Sequence, residues 1–317
     1  MAEMILLTGG MGFIGLHTAR ALVDQGSEVV ITRFRATREP EFIKEHLGGK
    51  VALETMDVTD LGRVFEVMHR HQVESVVHLA VPGLGALTPA EDARVNIGGL
   101  INVLEASRIL GVKRVSLASS VAVYAGSPLR PHREDDPLPI RSPNPTCAFK
   151  KSWEILGGHF AERTGIEVVA LRIGGIYGPL YHSMANLPSR LVHAAVRGRD
   201  PDFAGARGGT PYREDATDLC YVKDCARGIA LVHLAPALEH RVYNLSGGRP
   251  VTNGELAAAV ERAVPGAHFE LRSRPGEAPS PASLDISRVS GELGYEPAFP
   301  LDQAIPDYVA WLESHDE

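Results

Sequence analysis

Met4-Ile5-Leu6-Leu7-Thr8-Gly9-Gly10-Met11-Gly12-Phe13-Ile14-Gly15 is the stretch that decides the fold. A short apolar run leads into Gly9, Gly12 and Gly15, and a helix-like segment follows. Glycines so spaced let the chain turn tightly, bring its backbone up to a pyrophosphate at a helix N-terminus, and let that helix pack close to a sheet. After the first strand of a βαβ series, the pattern predicts a dinucleotide site that includes Phe13 and Ile14.

Outward from this turn, residues 1–172 alternate apolar runs with helical stretches. The runs are Met4–Leu7, Glu28–Thr32, Val51–Glu54, Val73–Leu79, Arg114–Leu117 and Ile166–Leu171. Mostly unalternated Val, Ile and Leu of this kind belongs to strands buried on both faces of a parallel sheet. Ala90–Leu110 and Cys147–Thr164 are the clearest helices between them. The expectation is an α/β fold: a doubly wound parallel sheet of the Rossmann type over 1–178, with a smaller C-terminal α/β substrate lobe over 179–317. Segments of that lobe are expected to return to the first domain. Helices are expected there near Leu187–Arg197, Lys223–His233 and Thr252–Val264, between Pro/Gly clusters.

The chain has 317 residues and a formal charge of −7, which argues against a nucleic-acid footprint. No apolar run approaches the roughly 20 residues that span a bilayer, and the N-terminus does not read as a signal peptide. A cytoplasmic protein without a membrane partner is expected. Cys147, Cys220 and Cys225 fit neither a disulfide framework nor a zinc pattern, and Asp215, Asp218 and Asp224 form no recognisable metal set. Asp224 reads as a helix N-terminal charge, and His69 and His71 as surface residues.

Further matches run the length of the chain: Asp57-Val58, His78-Leu79-Ala80, Asn96, Ser119–Tyr124, Lys150 with Glu154, Arg172–Pro179, Tyr221–Asp224, Tyr243-Asn244-Leu245 and Leu293–Pro297. In this order they resemble the extended short-chain dehydrogenase/reductase superfamily, in its nucleotide-sugar epimerase/dehydratase branch. The resemblance implies that Asp57 and Val58 hold an adenine. Leu79, Ala80 and Val81 would line the pyrophosphate–ribose path, with Asn96 and Ile173 also at the cofactor. Where an NAD-preferring protein carries an acid for the ribose 2′-hydroxyl, this chain has Arg33, with Arg35 and Arg38 beyond it. Guanidinium groups suit a 2′-phosphate, so NADP(H) is the preferred expectation and NAD(H) the alternative.

The superfamily uses a Ser or Thr, a Tyr, and a Lys four residues after that Tyr. Ser120, four residues before Tyr124, matches the serine, and Lys150 matches the lysine. The position four before Lys150 is Thr146, so the catalytic tyrosine is missing; using Lys151 instead gives Cys147, which is no better. A threonine hydroxyl is shorter and far less acidic than a phenol, and general acid–base help is commonly worth about 10²–10⁴ in rate.

Three readings follow. The first is an NADPH-dependent ketoreductase with Ser120, Lys150 and Thr146 at its centre. It would act on a phenolic or quinone-like ketone of polyketide or other secondary metabolism, such as antibiotic biosynthesis, with substrate or water supplying the proton. The second is a nucleotide-sugar epimerase or dehydratase whose acid/base has moved to Tyr124, Tyr177, Tyr181, His182 or Cys147. The third is a dinucleotide-binding module without catalysis.

Ser120, Tyr124, Tyr181, His182, Met184 and Arg213 are the candidate substrate contacts, with Tyr181–Asn186 expected to border a cleft at the strand ends. Ala90–Leu110 and Cys147–Thr164 resemble helices that pair in dimeric relatives, and Ile101, Leu104, Ile155 and Phe160 are their extra apolar positions. A homodimer is the only macromolecular partner expected.

Overall fold

A computed structural model of the chain describes residues 2–36, 39–82, 87–128, 130–203 and 209–315. It divides into two compact units. The first comprises Met1–Ser127, Pro137–Arg172 and Ala226–Tyr243; the second comprises Pro128–Asp136, Ile173–Cys225 and Asn244–Glu317. The chain thus visits the second unit first at Pro128–Asp136 and returns to it at Ile173, before the Gly178-Pro179 step.

A seven-stranded sheet organises the first unit. Its strands are β1 (Met4–Thr8), β2 (Glu28–Arg33), β3 (Val51–Thr55), β4 (Ser75–His78), β5 (Arg114–Ser120), β6 (Glu167–Ile173) and β9 (Val242–Leu245), in spatial order β3-β2-β1-β4-β5-β6-β9. The pairs from β3 through β5 are parallel. Ile5, Leu6 and Leu7 of β1 and Val76 and Val77 of β4 are fully buried, as strands covered on both faces should be. Strand order reverses beside β1, whose neighbours are β2 and β4, and such a switch point is where open α/β sheets bind ligands.

Helix α1 (Phe13–Asp24) follows the glycine turn, and α2 (Leu61–Arg70) starts on an Asp60 side chain that accepts from the Arg63 N–H at 3.1 Å. The expected helix Ala90–Leu110 is α3 (Pro89–Ala93) and α4 (Gly99–Leu110) joined by a π-helical turn, Arg94–Gly98. Helix α5 (Pro145–Thr164) begins where sequence rules place a helix start. Asn144 caps it by accepting from the Cys147 N–H at 2.9 Å, Pro145 opens it, and Gly165 ends it in the left-handed conformation. Trp153 of α5, Leu100, Val103 and Leu104 of α4, and Leu117 of β5 share one core. Leu104 is therefore a packing residue, and Phe160 packs on the same core, whereas Ile101 and Ile155 are exposed.

The second unit holds a three-stranded sheet of β7 (Gly175–Tyr177), β8 (Ala216–Tyr221) and β10 (Pro250–Thr252), in order β10-β8-β7. Helices α6 (Leu187–Val196), α8 (Asn253–Ala263) and α10 (Leu301–Ser314) share its core. Helix α7 (Val222–Leu234) starts in this unit and ends in the first, while α9 (Ser287–Leu293) lies within it. The sequence reading stops at Val264, and α10 carries Pro306 inside it, which masks a helical pattern. The Asp224 carboxylate does more than face a helix start: it accepts the N–H groups of Ala298 and Phe299 at 2.8 and 3.0 Å and so fixes the approach to α10.

Candidate active site

The glycine turn is shaped by backbone contacts that exclude side chains. Gly9 has φ +69°, and a Cβ there would stand 2.9 Å from the Ala80 nitrogen; at Gly15 it would stand 2.4 Å from the Gly9 carbonyl oxygen. The Thr32 hydroxyl accepts from the Gly9 N–H at 3.1 Å, tying the turn to the end of β2. Thr8 does the same toward β4: its hydroxyl meets His78 Nδ1 at 2.7 Å and accepts from the Leu79 and Ala80 N–H groups at 3.2 and 3.3 Å. Helix α1 begins on Gly12 with no side-chain cap and no acid in its first turn, which suits a phosphate. These features fit a dinucleotide: a cradle that any Cβ would fill, opening on an uncapped helix start at the switch point.

The other cofactor candidates of the first unit end β2, follow β3 and β4, or lie in the π-helical turn. Asp57 uses one carboxylate oxygen to accept from Thr59, at 2.9 Å from both its N–H and its hydroxyl. The Val58 carbonyl accepts from Asn102 at 2.9 Å, and Val81 is half exposed. Asn96 lies in the π-helical turn, a form frequent at functional sites, and donates its amide to the Asp92 carbonyl at 2.9 Å. Arg33 closes β2 with Nη1 3.7 Å from the Glu39 carboxylate and Nε 3.4 Å from the Thr55 hydroxyl. Arg35 stacks on Phe34, its guanidinium carbon 4.9 Å from the ring centre, and Arg38 lies outside the described residues.

Helix α5 packs on β5 and on the 3-10 turn Val121–Tyr124 that follows it. Ser120, at the end of β5, caps that turn by accepting from the Ala122 N–H at 3.1 Å, which leaves its own hydroxyl proton to be donated. Thr146 is half buried in the first turn of α5, and its hydroxyl has no partner among the described residues. Lys150, one turn on, is 8% exposed. Its ammonium lies 3.5 Å from the centre of the Trp153 ring, and among the described residues it has neither a carboxylate partner nor a hydrogen-bond acceptor. Burial alone pushes its pKa down to about 7.

Glu154 does not serve that lysine. Arg172 grips it with Nε at 3.0 and 3.2 Å and Nη2 at 2.7 Å, and Ser119 donates to it as well. Arg172 also donates to the Tyr124 hydroxyl at 2.7 Å, and Tyr124 is 1% exposed. The expectation that Tyr124 touches substrate or carries a relocated proton is therefore corrected: it is a core residue of this ion-pair network. Cys147 is wholly buried. Tyr177 is also a core residue, packed on Tyr221, and burial raises its pKa.

Ile173, Tyr181, His182, Met184 and Arg213 belong to the second unit. Leu180 and Met184 hold left-handed backbone, φ +73° and +50°, which is costly for such side chains and clusters at functional loops. Tyr181 is half buried; His182 and Arg213 are exposed. His71 faces the Glu54 carboxylate at 2.8 Å and His69 stacks on Phe65, both at the surface of the first unit. No helix among the described residues is long and apolar enough to cross a membrane.

Comparison with known proteins places this geometry. The model of the NAD dependent epimerase/dehydratase family matches residues 5–246. The chain belongs to that family. Among its relatives, the UDP-glucose 4-epimerase of Erwinia amylovora is 28% identical over 327 residues, covering 97% of each chain. The UDP-glucuronate 4-epimerase of Thermodesulfobacterium geofontis is 26% identical over 336 residues, covering 98% of this chain and 97% of the relative. The crystal structure of Thermus thermophilus UDP-glucose 4-epimerase in complex with NAD superposes with a TM-score of 0.81 at 27% identity, covering 98% of this chain and 99% of that one. Family membership makes the chain an enzyme of the dinucleotide-dependent oxidoreductase type, with a nicotinamide dinucleotide as its cofactor. Nothing in these relatives supports the NADP(H) preference or the ketoreductase reading over the epimerase/dehydratase one.

Sequence reasoning missed Trp153, which carries Lys150 on its ring and donates from Nε1 to the Asn96 carbonyl at 2.9 Å. It also missed that Arg172 competes for Glu154. A tryptophan three residues after the lysine was the available signal for the first; the second shows only once β6 lies against α5.

Proposed function

We propose that this chain is a dinucleotide-dependent enzyme that oxidises, and then re-reduces or dehydrates, a nucleotide-linked sugar without a tyrosine acid/base. The observation that carries this is the end-to-end likeness to nucleotide-sugar epimerases, together with a first unit that keeps the glycine cradle, Ser120 and Lys150. When bound, the dinucleotide takes a hydride from the carbinol carbon and can give it back. Gly9, Gly12 and Gly15 would hold its pyrophosphate with the first turn of α1, while Asp57 and Val58 would hold the adenine. Leu79, Ala80, Val81, Asn96 and Ile173 would line the rest, Lys150 would meet the nicotinamide ribose, and Ser120 would donate to the substrate oxygen. Tyr181, His182, Met184 and Arg213 are the proposed contacts to sugar and nucleotide, and the strained backbone at Met184 supports that loop as functional.

NAD is the proposed cofactor. The NADPH-dependent ketoreductase is the second reading, favoured by one observation: β2 ends in Arg33 and Arg35 instead of an acid. Glu39, beside Arg33, weakens it by repelling a 2′-phosphate. A homodimer through α4 and α5 is also proposed, supported by exposed Ile101, Ile109 and Ile155.

The experiment is to denature the purified protein and identify the released dinucleotide by mass, then to follow UDP-glucose and UDP-glucuronate by NMR. Stoichiometric NAD and turnover of a UDP-sugar are expected. Empty sites that fill with NADP(H), with turnover of ketones alone, would overturn the proposal in favour of the reductase.

A further inference from the structure

Without the tyrosine, the hydroxyl proton removed as a carbinol is oxidised needs another acceptor. Thr146 offers an aliphatic hydroxyl, which is too weak an acid to exchange a proton near neutrality. Tyr124 is bonded to Arg172, and Cys147 is sealed in the core. His78 is fully buried at the end of β4, with Nδ1 on Thr8 and its ring 4.5 Å from that of Trp153.

We propose that Lys150 itself takes and returns the substrate's hydroxyl proton, filling the role of the absent tyrosine; this rests on the oxidation–reduction reading above. Its surroundings favour an uncharged amine. The side chain is nearly excluded from water, and among the described residues its Nζ has no hydrogen-bond acceptor; the Trp153 ring is the one group that favours the cation. The one acid on its helix a turn away, Glu154, is held by Arg172 of β6 and Ser119 of β5. On the neighbouring elements, His78 of β4 is neutral, burial driving its pKa down to about 3. Tyr124 after β5 is bonded to Arg172, and Arg94 in the π-helical turn reaches the Thr59 hydroxyl at 3.4 Å. Lys151 turns to the carbonyls of Pro139 and Arg141. Among the described residues no carboxylate is left to hold the Lys150 proton, and desolvation brings the group to titrate near neutrality, where a general acid–base works best.

The step balances. The substrate O–H bond breaks, an Nζ–H bond forms, and the amine becomes an ammonium. The hydrogen on the same carbon leaves with its electron pair to the nicotinamide dinucleotide, and a carbonyl forms. In the return direction the ammonium gives the proton back to the oxygen. Trp153, anchored on the Asn96 carbonyl, is the face on which the transient cation rests.

Two variants test this. Lys150→Met removes the amine without adding bulk, and Lys150→Arg keeps a charge that is never lost. A lysine depressed to about 7 when folded and near 10.4 when unfolded binds fewer protons in the native state across that window. Native stability must then rise with pH there. By urea unfolding, the folding constant of the wild type relative to Lys150→Met should rise about tenfold per pH unit between about pH 7.5 and 10. A flat ratio would overturn the proposal.

In the second arm, Lys150→Arg should keep its NAD affinity within about threefold while losing about 10³-fold or more of UDP-glucose turnover. Turnover within tenfold of the wild type would overturn the proposal. If the wild type itself converts no UDP-sugar, the functional reading fails, and the unfolding ratio still decides whether Lys150 titrates.

Discussion

The glycine turn and the face of helix α5 belong to the same unit, yet they follow opposite logics. At the turn, the backbone sets the shape, and two threonine hydroxyls tie it in place. Gly9 and Gly15 stand where a Cβ would strike the Ala80 nitrogen or the Gly9 carbonyl, and Thr8 and Thr32 tie the loop to β4 and β2. On α5 the work is done by side chains, and these have been reassigned. Thr146 stands where the phenol should be, Glu154 is committed to Arg172, and Lys150 is left against Trp153, without a counter-charge among the described residues. A cofactor grip built from backbone admits almost no variation, whereas a proton relay built from side chains can change owner while the fold and the grip stay intact.

The largest way to break this contrast lies at Glu154. Glu154→Gln leaves Arg172 a buried cation without its carboxylate and should cost about 3–5 kcal/mol of stability in urea unfolding. A loss under about 1 kcal/mol would mean that the pair does not anchor α5 to β6. Next is Gly15→Ala, whose methyl would press on two backbone oxygens, those of Gly9 and Gly10, at 2.4 and 2.7 Å. Affinity for NAD, titrated calorimetrically, should fall about 100-fold, or about 3 kcal/mol. Unchanged affinity would remove the cradle from the account.

Two smaller effects sharpen it. Arg33→Ala should leave NADH affinity within about threefold, since among the described residues Arg33 meets Glu39 and Thr55 alone. Loss of NADPH affinity by about tenfold or more, with NADH unaffected, would restore the reductase reading. Thr146→Val should change turnover by less than about threefold; a loss of about 10³-fold would make that hydroxyl the proton carrier in place of Lys150.

The same contrast explains what could be read in advance. The turn was legible because its constraints are local: glycine spacing, an apolar run before it and a helix after it. Strands β1, β2, β4, β5 and β6 were legible because strands buried on both faces write themselves as continuous apolar runs; β3, at the sheet edge, is only partly buried. The surroundings of Lys150 were not, because they are assembled across long separations. The Trp153 indole meets the carbonyl of Asn96, 57 positions away, and the Glu154 carboxylate meets an arginine on another strand. Tyr124 misled for the same reason. A Ser-x-x-x-Tyr run places the tyrosine beside the site in sequence, but the 3-10 turn after β5 points it into the core, onto Arg172.

The most direct measurement is the titration of Lys150 itself. With six lysines in the chain, ¹³Cε-labelled lysine gives few enough NMR signals for each to be followed with pH, and Lys150→Arg identifies the one that matters. The signal lost in Lys150→Arg should titrate near pH 7 in the folded wild type. A midpoint above about 9 for that signal would mean an ordinary, permanently charged lysine, and would contradict the claim that the proton has passed from a tyrosine to Lys150.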